Sequence, residues 1–424
     1  MLPQLFSITP EKIQHKLQSG LMLIKEVVSH RARDFTKYSS NMKEFITIQN
    51  FGPILDITDL EIKPFTFLIG ESASGKSTIM KLIAMMRYLY KMANIRSYLK
   101  HSKITNSPFR VRFDSFIKRQ GMTGMLSTDS CIKYRVEISP ETSYEIVMEN
   151  RTLRKLPIIH KEHLSLNKVS YISENRNIIP TWVEKASENA GATLGFYFHE
   201  TNADFNRASQ DDKVVDLDYV GMKLHITHPK GRPTKYQIEH QDKRVKIDLK
   251  EASSGIQTSA PLVLITKYFA SDYSFKEAFT RSVLSYLNDM DRLTKFKPAT
   301  ESSDLNRYVY IHIEEPELSL FPNAQCRMID ELVYAASHPS SDRYTNIIMA
   351  THSPYILNYL NVILLQKNES RAHIDHTKMS VYRIYEGTTQ DLIVQNENGD
   401  YLVDSFDLAE EMSNIYNEYQ TLKK

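Results

Sequence analysis

The run Gly70-Glu71-Ser72-Ala73-Ser74-Gly75-Lys76-Ser77 constrains this chain more than any other stretch of it. Before it, PFTFLIG is continuously apolar, as a buried strand is. After it, STIMKLIAMMRYLYKMA carries apolar residues at i, i+3 and i+4, the spacing of a helix face. A glycine-bounded loop between a strand and a helix curls so that successive backbone N–H groups point inward. The helix N-terminus adds a favourable dipole, and the loop becomes a phosphate cradle. Gly70 and Gly75 supply the bends, and Glu71, Ser72, Ala73 and Ser74 form the cradle between them. Lys76 is expected to reach the β and γ phosphates of a nucleotide, Ser77 to ligate Mg²⁺, and Thr78 to approach the α phosphate.

A phosphate loop alone leaves the chemistry open, and a second acidic segment narrows it. Tyr308 to Ile313 is an apolar β-run ending in Glu314-Glu315-Pro316-Glu317. Adjacent residues of a strand point to opposite faces, which suits Glu314 to the Mg²⁺ shell and Glu315 to general-base work on an attacking water. A further apolar strand, NIIMATH, ends in His352, whose imidazole is placed to bond a γ phosphate and orient that water. Ser253-Ser254-Gly255-Ile256-Gln257 opens another apolar helix and reads either as a helix cap or as a second anion-binding end.

The rest of the chain is organised around these elements. Residues 10 to 40 have apolar positions at helical spacing and read as a helical extension. EFITIQNFGPI and DITDLEI read as strands turning at Gly52-Pro53; CIKYRVEIS-PET-SYEIVME and KYQIEHQDKRVKIDL read as hairpins; residues 181 to 215 read as helical and polar. Strands alternating with helices argue for a largely parallel sheet beside an antiparallel one, an α/β architecture. Its expected divisions are a helical extension (1–41), a nucleotide-binding lobe begun by 42–180 and completed by 301–424, and a helical lobe (181–300) carrying the Ser254 segment.

Composition excludes several classes. A net charge of +2 over 424 residues gives no global attraction to nucleic acid or to an anionic membrane. Cys131 and Cys326, the only cysteines, are too few for a disulfide framework and read as buried thiols. Met1 to Glu11 lacks the pattern of a secretory leader, and no apolar run approaches the roughly 20 residues that span a bilayer, so a cytoplasmic location is expected. One stretch is locally basic: residues 87 to 119 hold nine Lys/Arg against Asp114, with Tyr88, Tyr90, Tyr98, Phe109 and Phe113 among them. It reads equally as a nucleic-acid surface or as a solvated helix face whose aromatics pack inward.

Taken in order, GESASGKS, SSGIQ, YIHIEEPELSLFP and MATHSP resemble the ABC-type ATPases, specifically the RecF-like, overcoming-lysogenization-defect and chromosome-maintenance (SMC-like) branch. The resemblance runs from about Met42 to the C-terminus. It implies an ABC-type P-loop head with mixed parallel and antiparallel sheets, a helical lobe, ATP hydrolysis with Mg²⁺, and two heads that share composite sites. Ser254 and Gly255 would contact the γ phosphate held by the partner head, and Glu317 to Leu320 would line the interface. YISENRNIIP is similar to the loop joining the lobes, where Glu174, Asn175 or Arg176 replaces the usual glutamine. SSGIQ lacks the second glycine of the usual signature, and Glu314 stands where transporters have Asp.

Only 72 residues follow His352, too few for the nuclease domain of the lysogenization-defect relatives, and HIDH at 373 to 376 reads as a surface loop. The chain is thus similar to stand-alone ATPase subunits of bacterial anti-phage systems (PARIS, Septu, retron-associated). That similarity implies a regulatory or sensor subunit acting on a separate nuclease or toxin effector. The alternative is a RecF/SMC-like DNA-binding clamp in DNA repair or chromosome maintenance.

Overall fold

The computed structural model describes residues 42–104, 113–184, 194–240, 243–289, 305–340, 342–368 and 370–422. The helical extension expected over 10 to 40 lies outside them. The chain divides into two units, Met1–Lys43 with Glu137–Ser143, and Glu44–Val136 with Tyr144–Lys424. In the small unit, Ser139 Oγ donates to the Glu141 carboxylate across a turn at 3.4 Å. Every candidate site residue belongs to the large unit.

Alternating residues make Lys43–Phe51 (β1) and Ile54–Glu61 (β2) an antiparallel hairpin that turns at Gly52-Pro53, with Phe51 opposite Ile54. Ile46, Ile48 and Phe51 are buried, and polar residues alternate with them. The chain then enters Phe65–Ile69 (β3), all five residues of which are buried, as a strand covered on both faces must be. Leu126–Ser139 (β4), Thr142–Glu149 (β5) and Thr152–Leu153 (β6) return to the first sheet, whose order is β2-β1-β4-β5-β6.

The second sheet positions the site. It adds Ser165–Ile172 (β7) to β3, and the third sheet intervenes in sequence: Lys213–Leu217 (β8), Met222–Thr227 (β9), Lys235–His240 (β10) and Lys243–Asp248 (β11), an antiparallel meander. Asn306–Glu314 (β12), Tyr344–Thr351 (β13), Met379–Tyr385 (β14) and Thr388–Asp391 (β15) complete the second sheet in the order β15-β14-β3-β13-β12-β7. All its pairs are parallel except β14 with β15. Ile393–Gln395 (β16) and Tyr401–Val403 (β17) form a small hairpin. This is the α/β P-loop architecture with mixed sheets that the motif order implies. The polar stretch expected to be helical to residue 215 instead enters β8 at Lys213, because VVDL pairs residue by residue with MKLH of β9.

Lys76–His101 (α1) follows the phosphate loop and is followed by Phe113–Arg119 (α2), Ile179–Glu184 (α3), Phe196–Ala208 (α4), Ser254–Lys267 (α5) and Phe275–Asp289 (α6). Pro322–Ser337 (α7), Pro354–Leu365 (α8) and Phe406–Leu422 (α9) complete the described helices. Helix α1 is buried on most of its circumference, which corrects one reading of the basic stretch. Arg87, Tyr90 and Tyr98 are core residues, not parts of a surface. The Arg87 guanidinium pairs with Glu44 of β1 and stacks 4.3 Å over Tyr310 of β12. Tyr134 of β4 donates to the other oxygen of Glu44 at 2.6 Å. His312 of β12 donates from Nδ1 to the Ser170 carbonyl and accepts from Arg87 on Nε2, at 2.9 and 3.1 Å. Burial and Arg87 push that imidazole down to about 3, so it stays neutral. One cation thereby joins two sheets and a helix; removing one member of such a buried pair costs about 3–5 kcal/mol. Of the other cations in the stretch, Lys100, Lys103, Lys118 and Arg119 are exposed, while Arg110 and Arg112 lie outside the described residues.

Cys131 and Cys326 are free and half-buried, not buried as expected; Cys131 lies on the less buried face of the β4 alternation. Among the described residues no helix is long and apolar enough to cross a membrane.

Candidate active site

Parallel pairing brings the carboxyl ends of β3, β13, β12 and β7 to one edge of the sheet, where open α/β sheets bind ligands. Register makes this concrete. Leu68, Ala350 and Glu314 form one row across three strands, and Thr351 pairs with Ile69 at the last position before the phosphate loop. The loops that follow these strands, 70–75, 315–320, 352–353 and 173–178, therefore converge.

Gly75 caps α1 with φ of 106°, and a Cβ there would lie 2.6 Å from Cδ1 of Ile54, so only glycine fits. The Lys76 ammonium turns back into the loop and donates to the carbonyls of Gly70 and Glu71 at 2.8 and 2.6 Å. Its pKa is lowered to about 8 by burial, against the raising effect of Glu315, Glu317 and Glu71. The Glu315 and Glu317 charges thus reach the phosphate loop.

Glu314 is buried at the end of β12, 3.3 Å from the Lys81 ammonium one turn into α1. Burial raises its carboxyl, but interaction with the Glu174 carboxyl, Lys81 and the Ser77 hydroxyl more than offsets this and leaves it ionised. Glu174 takes the opposite part: interaction with Glu314, then burial, raises it to about 7. Its backbone N–H donates to Glu314 at 3.4 Å. Ser77 and Glu314 present the hard oxygen donors that Mg²⁺ prefers, so the residues present fit the ion.

Glu315 leaves the strand in a left-handed conformation, φ 43°, although it has a side chain. Such strain costs about 1–3 kcal/mol and persists where surrounding structure enforces it. Here the Glu315 N–H donates to the Ala350 carbonyl at 2.8 Å and the Glu315 carbonyl accepts from Arg176. The two carboxylates therefore part company through this twist, and not through strand alternation alone. The Glu315 carboxylate comes 3.7 Å from His352 Nε2, both groups being half exposed at the edge. His352 is fixed in turn by Glu317, whose carboxylate accepts its backbone N–H at 2.6 Å. Ser353 caps α8 and donates to Gln325, which donates to the Leu320 carbonyl, so the two loops are tied together.

Sequence reasoning named Arg176 only as one of three residues of a connecting loop. Its side chain is fully buried and donates to the carbonyls of Glu314 and Glu315, both at 2.6 Å, of Ser173 at 3.0 Å and of Thr258 in α5 at 3.1 Å. Burial lowers its pKa to about 10, opposed by Glu317, Glu314 and Glu315, and it remains charged. The residue is the joint between the acidic loop and the helix that begins at Ser254. Arg383 and Tyr385, at the end of β14, were also missed; with Glu71 to Ser74 they wall a cleft of about 210 Å³ beside the phosphate loop.

Ser254 is exposed at the start of α5, directly after the N-cap Ser253, whose side chain makes no capping bond. Gly255 behind it is buried against the acidic loop, where a Cβ would stand 2.7 Å from the Ser319 carbonyl oxygen. Within one chain Ser254 forms no hydrogen bond to the phosphate loop among the described residues. The fourteen candidate residues are thus in two groups: Gly70 to Thr78 with Glu314, Glu315 and His352 at one edge, and Ser254 with Gly255 against the 315–320 loop.

No curated protein matches the chain. Solved structures similar to it include the SMC head bound to the C-winged helix domain of ScpA (9% identity, 84% of this chain and 98% of that one, TM-score 0.35). The SMC head domain from Thermotoga maritima is similar at 10% identity, over 84% and 100% of the two chains, TM-score 0.33. The recombination mediator protein RecF follows at 12%, 83% and 98%, TM-score 0.32. These likenesses are distant, and the fold is read from the strand order itself. Residues 144–357, half of the chain, match the AAA ATPase domain family; they hold Arg176, Ser254, Glu314, Glu315 and His352, and the chain belongs to that family.

Proposed function

We propose that the chain binds ATP with Mg²⁺ at the phosphate loop and hydrolyses it. The observation that carries this reading is the single row that sets the phosphate loop, Glu314 and the Glu315–His352 pair at one sheet edge. Lys76 would bond the β and γ phosphate oxygens. Glu315 would take the proton of the attacking water, and His352, within 4 Å of it, would hold that water in line as the β–γ bridging bond breaks. Ser77 and Glu314 would hold Mg²⁺, which would supply charge neutralisation at the phosphates. Purified wild-type chain should release phosphate from ATP. Lys76→Ala and Glu315→Gln should each lose at least about 100-fold in turnover, and undiminished turnover in both would sink the reading.

Two copies are proposed to share the site. Ser254 is exposed beside the 315–320 loop, and Phe321, which follows that loop and is 79% exposed, offers an apolar anchor. A regulatory role over a separate nuclease or toxin in an anti-phage system rests on the sequence resemblance alone. The DNA-binding clamp is its alternative, and its exposed cations are reduced to Lys100, Lys103, Lys118 and Arg119 among those described. Salt-sensitive DNA binding lost on replacing these four would favour the clamp.

A further inference from the structure

Away from the phosphate loop, a cavity of about 490 Å³ opens between α1, the first half of β7, α4 and α6. Its size is that of a small-molecule site. Six charged side chains line it: Lys91, Lys168, Arg207 and Arg281 against Glu200 and Asp204. Asp204 is already saturated, accepting from Lys168 at 2.7 and 2.9 Å, from Ser170 at 2.7 Å and from Arg207 at 2.9 Å. That network is internally complete and leaves positive charge over. Lys91, half-buried, has no hydrogen bond or ion pair among the described residues, and Arg281 stands exposed at the rim. The only uncommitted acid is Glu200, itself exposed. Burial and the nearby Lys168 and Arg207 charges bring Lys91 down to about 8, although Asp204 and Glu200 raise it. A desolvated cation beside two others is costly without an anion to meet it.

The lining is also aromatic. Tyr273, Phe275 and Phe279 belong to it, with Tyr273 and Phe275 at 5.0 Å between ring centres. Aromatic side chains lining the same cavity as uncommitted cations match a ligand with an anionic head and a planar ring.

We propose that this cavity is a second ligand site, for a small phosphate monoester bearing a planar ring, of the nucleoside monophosphate class. Two of its walls lead to the hydrolytic edge: α1 starts at Lys76, and β7 ends at Ile172, just before the Ser173 to Arg176 loop. The site stands independently of hydrolysis and is tested by binding.

The full-length Lys76→Ala chain, in which the phosphate loop is disabled, is titrated calorimetrically with AMP, inorganic phosphate and adenosine. AMP should bind at one site per chain, at least about tenfold tighter than either fragment. Lys91→Gln and Arg281→Gln should each weaken AMP by about tenfold or more. Arg281 is exposed, so its variant tests the site even if the Lys91 variant folds poorly. Absence of AMP binding, phosphate binding as tight as AMP, or AMP binding unchanged in Arg281→Gln would overturn the proposal.

Discussion

Arg176 shows how much one side chain can decide. A planar guanidinium with five donors in fixed directions can serve four carbonyls from three segments at once, whereas an ammonium is a point charge with three. Arg176→Lys should therefore fold and bind ATP yet lose about 10–100-fold in kcat, because the twist at Glu315 is released. Steady-state kinetics with a separate measurement of ATP affinity separate these effects, and an unchanged kcat would contradict the role. Lys91 gives a prediction of the opposite sign. Burial, with the Lys168 and Arg207 charges, lowers its ammonium from the ordinary 10.5 to about 8, against the raising effect of Asp204 and Glu200. The unfolded chain thus holds more protons between these values, and stability rises with pH across that window. Lys91→Met should stabilise the chain at pH 7 by about 1–3 kcal/mol, with the gain shrinking as pH climbs from about 8 to 10.5. Urea unfolding at pH 7 and pH 10 checks it; destabilisation at pH 7 would contradict it.

At the scale of elements, the structure puts the 315–320 loop and the start of α5 in backbone contact, with Gly255 as the only permissible residue there. Gly255→Ala should push the Ser319 carbonyl away at a cost of about 1–3 kcal/mol and lower ATP turnover while leaving ATP affinity intact. Turnover unaffected by the methyl group would show the contact to be incidental. How far such elements can be read in advance depends on range. Gly70 to Ser77, Glu314, Glu315 and His352 were legible because each motif is local and its strand or helix context adjoins it in the chain. The role of Arg176 was not, since its partners Glu314 and Thr258 are brought to it only by β12 pairing beside β7 and by the packing of α5. Arg87 misled for a related reason: a helix buried on most of its faces carries no polar stripe to mark a cation buried in its middle. The strand at Lys213–Leu217 was hidden because it has half-exposed alternation and draws its pairing from β9.

At the scale of the whole molecule, one chain holds a phosphate loop with its acidic pair and an exposed Ser254. The start of α5 packs on the 315–320 loop, but Ser254 makes no hydrogen bond to the phosphate loop within the chain among the described residues. The proposed pairing of two copies would account for the exposure of both Ser254 and Phe321. The most direct test mixes two variants, Lys76→Ala and Ser254→Arg, each expected to be nearly inactive alone. In a mixed pair the intact phosphate loop of the Ser254→Arg copy meets the intact Ser254 of the other. Equimolar mixing should thus restore about a quarter of wild-type ATP turnover, if pairing is random and the two sites of a symmetric pair act independently. Full activity of Ser254→Arg on its own, or no recovery on mixing with Lys76→Ala, would contradict a shared site.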